Sequence, residues 1–510
     1  MKAAQTLLLL LLCGGLMVGC DGNFLELTNP NLPTTDTFWK TADDAIKAVN
    51  ACYEPLTFDG MYGRFMHILQ DLRADDAVGD SPWGEIQNVG RFNLNAASFG
   101  PFLAWRDAYN GIYRTNQVLK YVPNIEMDPE LKARLLGEAK FLRAFYYFHL
   151  VKMFNNVPLI LEPAEKEEQY RQPQAPPEQV WAQIIQDLKE AQTVLPQRYT
   201  NEADIGRATW GAATAYLGVA YLFTGRYAEA DAEFKKIIDS GLYQLVDDPR
   251  LNGGYEGENN AESIFEIQFS REVGGTVPGW GGTPNPSWGE TQARSITYSP
   301  PGFGWADTNP TRCLYQTFKQ ERTVDGQDDP RLHATMFYYR PGMTVYGVPW
   351  EQLYGNDTTS VYWRKYQSDI PGGNEFDMRS GINIRVMRYA DVLLMYAETR
   401  NELGDQATAA RYIQMVRNRA RLPNREAEFA AMSQAQLREV IARERFLELA
   451  GEGKRFDDLR RWGWLSNPAK LAELRACDPE FNGYAPGREW LPIPQAEMDA
   501  NPLLQQNPSY

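Results

Sequence analysis

The segment 213–241, ATAYLGVAYLFTGRYAEADAEFKKIIDSG, constrains the fold more than any other part of the chain. Its apolar residues recur at helical spacing, and it reads as two helices laid side by side. Gly218 and Ala230 are small where the helices touch, and Leu217, Tyr221 and Phe234 fill the groove between them. Such a pair cannot bury its apolar face alone, so it must stack on further helices. A weaker copy occupies 390–420, with Ala397, Gly404 and Ala409 at the same offsets.

Both segments match the tetratricopeptide pattern, and the helix pairs around 105–154 and 180–240 fit the same architecture. The copies are interrupted and far apart, which predicts a helical scaffold with long insertions rather than a regular solenoid. The expected fold class is mainly α, a tetratricopeptide-like helix-pair scaffold with long irregular loop insertions and few short strands. Its expected parts are a signal segment 1–19, a tether 20–37, a helical region 38–244 and a C-terminal region 245–510 with a loop insertion at 275–375, both halves packing as one unit.

Several chemistries are disfavoured by composition. A net charge of −15 disfavours nucleic acid and anionic membrane surfaces, because phosphate binding needs a basic face. The three histidines, His67, His149 and His333, share no metal-ligand spacing, and His149 reads as a satisfied core residue. Cys52, Cys313 and Cys477 are widely spaced, which argues against a disulfide framework or a thiolate zinc site. The acidic run Asp71, Asp75, Asp76 and Asp80 lacks the spacing of an EF-hand and reads as a solvated loop, with structural calcium as the weaker alternative and no other cofactor expected. Glu444 and Glu448 lie one turn apart and are expected to pair with Arg445, Arg455 or Arg460 rather than to act as an acid/base couple.

At the N-terminus, Lys2 and the apolar run from Leu7 to Gly19 have the form of a secretory signal, too short to span a bilayer as a mature helix. Cys20 follows a small residue at the end of that run, in the manner of a bacterial lipobox, so Cys20 is the expected acylation site.

The insertion raises a different question. PGWGGTPNPSWGE, 278–290, holds no helix or central strand, yet it carries Trp280 and Trp288. Large rigid aromatics on loops suit the apolar faces of a ligand such as a sugar. Trp83, Trp280, Trp288, Tyr298, Trp305 and Trp350 are the candidate ligand-binding residues, with Asp80, Glu85 and Gln87 beside Trp83 to take hydroxyls.

Five blocks, in order, carry a resemblance to a known family. They are Cys20 with FLELTNPNLPTTDTFWKTADDAIKAVNACYEPL (24–56), AKFLRAFYYFHLVKMFNNVPLI (139–160), ESIFEIQFS (262–270), LREVIARERFLELAGEGKRFDDLRRWG (437–463) and REWLPIPQAEMDANPLLQQNPSY (488–510). Together they resemble the SusD/RagB outer-membrane lipoproteins of Bacteroidota. The resemblance implies a non-catalytic surface protein that binds an oligosaccharide or polysaccharide, is anchored to the outer membrane through Cys20, and serves as the lid of a SusC-type TonB-dependent barrel. It gives no pattern for 275–375, so the cargo stays open between a glycan and a peptide or other nutrient. A tetratricopeptide-type assembly factor and a glycoside hydrolase are the readings from other classes.

Overall fold

The computed structural model describes residues 38–272, 290–375 and 378–510. The expected signal segment and tether, and Cys20 with them, lie outside the described residues. No described helix is long and apolar enough to cross a membrane.

Helices dominate, and consecutive ones pack on each other. Phe99–Tyr121, Pro129–Phe154, Pro177–Val194, Trp210–Phe223 and Tyr227–Ser240 form one run of neighbours. Tyr389–Glu402, Gln406–Arg419 and Gln434–Glu448 form a second, and Tyr227–Ser240 packs on Tyr389–Glu402 to join the two. One apolar cluster runs from Ala45 to Leu504 across both halves. The small residues act as the repeat requires. A Cβ on Gly218 would sit 2.5 Å from the Phe234 ring, and one on Gly111 would meet Tyr146 at 2.2 Å. Ala230, Phe234, Leu217 and Tyr221 are buried, as are Ala397 and Ala409. Gly404 has a different role from Gly218: at φ +85° it turns the chain between two helices.

Helix starts are set by caps. Thr41 and Asp44 form a reciprocal capping box at Ala42–Tyr53, and Ser433 with Gln436 forms another at Gln434–Glu448. The helix Pro129–Phe154 is buried all round from Phe141 onward, so it has no polar stripe there. His149 sits in that stretch and hydrogen-bonds Tyr62 at 3.0 Å. The C-terminal tail runs over the scaffold and is interrupted by a short helix, Gln495–Ala500: Leu491 donates its amide to the Met153 carbonyl, and Asn507 Nδ2 donates to the carbonyls of Phe154 and Leu491.

The described part of the insertion, from residue 290, carries more regular structure than its composition predicts. Strand Ser263–Ile267 pairs antiparallel with Ile384–Arg388, pinning both ends, and Met336–Tyr338 pairs with Val361–Trp363 inside it. A local core of Phe337, Met343, Val345, Tyr346 and Trp350 fills the space beneath.

Two sequence expectations are corrected here. Cys313 and Cys477 form a disulfide despite a separation of 164 residues, their Cα atoms 5.2 Å apart. Spacing along the chain was a poor guide, because Thr311 donates to the Asp75 and Asp76 carbonyls while Glu480 accepts from the Gly79 amide. Those bonds bring the two cysteines to one junction. The double variant Cys313→Ser/Cys477→Ser is expected to lose about 2–4 kcal/mol in urea denaturation, because the link restricts the unfolded chain. A midpoint unchanged from the parent would reject that role.

The second correction concerns helix charges. Glu444 pairs with Arg331 and Arg417, and Glu448 with Arg331, Arg388 and Arg419. Arg445 and Arg455 turn instead to Asp391, Asp458 and Asp75. The expected pairing within the C-terminal block fails because these side chains point into the core, where partners come from distant segments.

Candidate functional site

The site begins with a two-stranded ladder. Ala77–Gly79 pairs antiparallel with Thr308–Pro310, Gly79 opposite Thr308, and the Asp80 amide extends the pairing to the Asp307 carbonyl at 2.9 Å. This draws together two loops more than 200 residues apart in sequence. One leads into Trp83, at the cap of the short helix Gly84–Gly90; the other carries Trp305.

Between the two indoles lies Arg64. Its guanidinium carbon is 5.0 Å from the Trp83 ring, 5.9 Å from Trp305 and 5.2 Å from Phe65. Burial pushes the Arg64 pKa down, while the charges of Asp59 and Asp307 push it up. Asp59 is itself raised to about 6 by burial. A cation held over aromatic faces gains about 0.5–2 kcal/mol, so Arg64 links the two rings through one shared cation.

Trp83 is half-buried and packs edge-on against Phe65 at 5.9 Å. Trp305 is 37% exposed. Its amide donates to the Ile296 carbonyl, and Ala306 follows at φ 51°, a left-handed conformation that a non-glycine residue adopts at a cost. That kink returns the chain to the Ser299 and Thr297 carbonyls.

The other predicted residues divide. Tyr298 is 1% exposed, with its hydroxyl donating to Asp71 and its ring under the Arg294 guanidinium. Trp350 is fully buried, its indole N–H donating to the Asp357 carbonyl at 2.8 Å. Neither ring offers a face to solvent, so both leave the candidate surface. Trp280 and Trp288 lie outside the described residues. Glu85 accepts from the Gly100 amide and Gln87 donates to the Ser81 carbonyl, so of the polar neighbours proposed for Trp83 only Asp80 stays exposed. Sequence reasoning missed Arg64, for which no local signal exists: its role appears only when residues 83 and 305 converge on it.

The acidic run is occupied by protein groups. Asp71 takes Arg294, Tyr298 and the Gly453 amide; Asp75 pairs with Arg455; Asp76 accepts from the Gly451 amide. Burial, with Asp71 beside it, raises the Asp76 pKa to about 8. These carboxylates tie the 451–453 turn to the scaffold, and no cluster of metal-ligating side chains occurs among the described residues. The expectation of a solvated acidic loop is corrected by their burial; only Asp80 is at the surface.

Helix pairs stacked on each other, with loops inserted between them, define a helical-repeat scaffold. The chain belongs to the SusD family. The model of that family matches residues 261–510, and a second, described as starch-binding and associating with outer membrane, matches 67–222. A SusD-like protein P25 of Formosa agariphila is 27% identical over 507 residues, spanning 95% of this chain and 94% of the relative. A solved SusD superfamily protein from Bacteroides vulgatus is 30% identical with a TM-score of 0.81, covering 93% of this chain and all of that one. A laminarin-binding SusD-like protein is 29% identical at a TM-score of 0.74, covering 92% of this chain and 100% of its own.

Proposed function

We propose that this chain is a non-catalytic, cell-surface lipoprotein that binds a glycan and covers a SusC-type TonB-dependent barrel during uptake, anchored to the outer membrane through Cys20. The observation that carries the reading is the cradle of Trp83 and Trp305 around Arg64. A half-open pair of indoles accepts the C–H face of a sugar ring, and Asp80 at the rim accepts a hydroxyl proton. The names of relatives support the same cargo class, one binding laminarin and another, from Bacteroides fluxus, described as a surface glycan-binding protein.

The test is calorimetry of the acyl-free chain against laminarin, starch and a peptide pool. Trp305→Ala is expected to weaken glycan binding about tenfold, the value of one aromatic platform at about 1–1.5 kcal/mol. Unchanged affinity in that variant, binding to peptides alone, or release of cleaved sugar would each overturn the proposal.

A further inference from the structure

A second place in the molecule, apart from the Trp83–Trp305 cradle, has the chemistry of a ligand site. It is a solvent-open cleft of about 460 Å³ lined by Arg322, Asp328, His333, Arg340 and Arg421, where the 322–328 turn meets the start of the helix Pro330–Thr335. We propose that this cleft binds an oxyanion: the sulfate ester or carboxylate of an acidic sugar, or a phosphate.

The charge balance is the first support. In a chain of net charge −15, four cations gather here, Lys319, Arg322, Arg340 and Arg421, beside Asp325 and Asp328, while the neighbouring Asp329 is taken up by Arg331. Lys319 and Arg322 share Asp328, and Arg421 pairs with Asp325. Arg340 is exposed and has no carboxylate partner among the described residues.

The second support is that Arg340 is held in place by a neutral acceptor. Its guanidinium donates to His333 Nε2 at 3.1 Å. That contact requires Nε2 to be unprotonated, so Nδ1 carries the proton; the Tyr338 hydroxyl lies over the imidazole face, 2.9 Å from Nδ1 and 3.4 Å from Nε2. The Tyr338 hydroxyl in turn lies 3.4 Å from Asp328 Oδ2, and the two rings stack at an interplanar angle of 5°. Packed against Tyr338, His333 thus anchors one N–H of Arg340 while leaving its remaining N–H donors for an oxyanion, which a guanidinium fork matches well.

The groups facing His333 report the local potential. Burial lowers its pKa, then Arg340, Arg364 and Lys319 lower it further, against an opposing pull from Asp329, bringing it to about 4. Arg364 is already engaged by Asp369 and the His333 carbonyl. The positive field therefore stays uncompensated at Arg340, where an anion would settle.

His333 also supplies the probe. Isotope-labelled histidine gives three resonances in this chain, and His67 and His149 are buried and held neutral. Sodium sulfate, sodium phosphate, a tri-galacturonate and a neutral trisaccharide are added separately at constant ionic strength set with sodium chloride. An anion bound beside Arg340 is expected to raise the His333 titration midpoint by about half a pH unit or more. Arg340→Gln is expected to abolish the rise and Arg340→Lys to keep part of it; both lie at the surface, and the unmoved His67 and His149 signals confirm folding.

Response to tri-galacturonate or sulfate but not phosphate assigns the site to an acidic sugar; response to phosphate alone assigns it to a phosphate group. Either supports an oxyanion site. No response beyond chloride, or an equal response in Arg340→Gln, overturns it. The outcome is independent of the Trp83–Trp305 cradle, since Trp305→Ala leaves this cleft intact.

Discussion

Glu448→Gln is expected to cost about 3–5 kcal/mol in denaturant unfolding, because removing one member of a buried charge network strands the others. Glu448 touches Arg388 and Arg419 through one oxygen and Arg331 through the other. Glutamine keeps the shape and one acceptor but removes the negative charge among three buried guanidinium groups. Arg331 and Arg388 retain other carboxylates, Asp329 and Glu444 for one, Glu262 and Glu452 for the other. Among the described residues Arg419 keeps only Glu262, at 3.6 Å. The loss is therefore expected to fall mainly on Arg419, and Arg419→Met in the Glu448→Gln background is expected to recover part of it, since an apolar residue removes the stranded charge.

The same network sets the acid limb of stability. Burial alone would raise the Glu448 pKa, but Arg419, then Arg388 and Arg331, hold it well below the usual carboxylate range. A carboxylate depressed in the folded state binds fewer protons there than in the unfolded chain. Its contribution is present above the unfolded value near 4.5 and is lost as pH falls toward the folded one. Glu452, Asp457 and Asp458 are shifted in the same direction. Asp76 and Asp478 run the other way: burial raises them to about 8 and about 7. They bind more protons when folded, so they subtract stability as pH rises above the unfolded value near 4 and through 7–8. Stability measured by urea midpoint is expected to peak on the mildly acidic side and to fall steeply below it, with Glu448→Gln flattening that fall. A midpoint that rises steadily toward pH 8 would contradict the assignment.

What the sequence shows and what it hides follow from the range of the forces involved. Helix periodicity is local, so 213–241 and 390–420 announce their pairs, and Gly218 opposite Phe234 follows from size alone. The insertion is different. Gly, Pro and aromatic residues mark it as non-helical, but whether an indole faces solvent depends on which strands pair. Trp83 and Trp305 converge through three backbone partners at 77–79 and 308–310 that no periodicity encodes. The Cys313–Cys477 link and the partners of Glu444 depend equally on distant contacts. Arg64 lay hidden for the same reason: one cation beside one phenylalanine means nothing until two tryptophans arrive.

Trp350→Ala and Trp305→Ala are alike on paper and are expected to behave in opposite ways. Trp350 is fully buried against Tyr354 and Tyr362, ring centroids 4.7 and 6.1 Å away, and its N–H satisfies the Asp357 carbonyl. Truncation removes the floor of the local core formed with Phe337, Met343, Val345 and Tyr346, and is expected to cost about 3–5 kcal/mol. The hairpin Thr344–Val345/Val348–Pro349 leads directly into Trp350, so the loss is expected first as faster amide exchange across 343–363. Trp305, over a third exposed, leaves no comparable cavity, and its removal is expected to change stability by under about 1 kcal/mol. Unfolding curves and glycan titrations on the two variants separate the roles: Trp350→Ala loses stability with affinity retained below its unfolding transition, and Trp305→Ala the reverse. If Trp350→Ala instead unfolded like the parent while losing ligand, its indole would have to swing outward in solution, and the surface assigned to Trp83 and Trp305 would extend into the 343–363 segment.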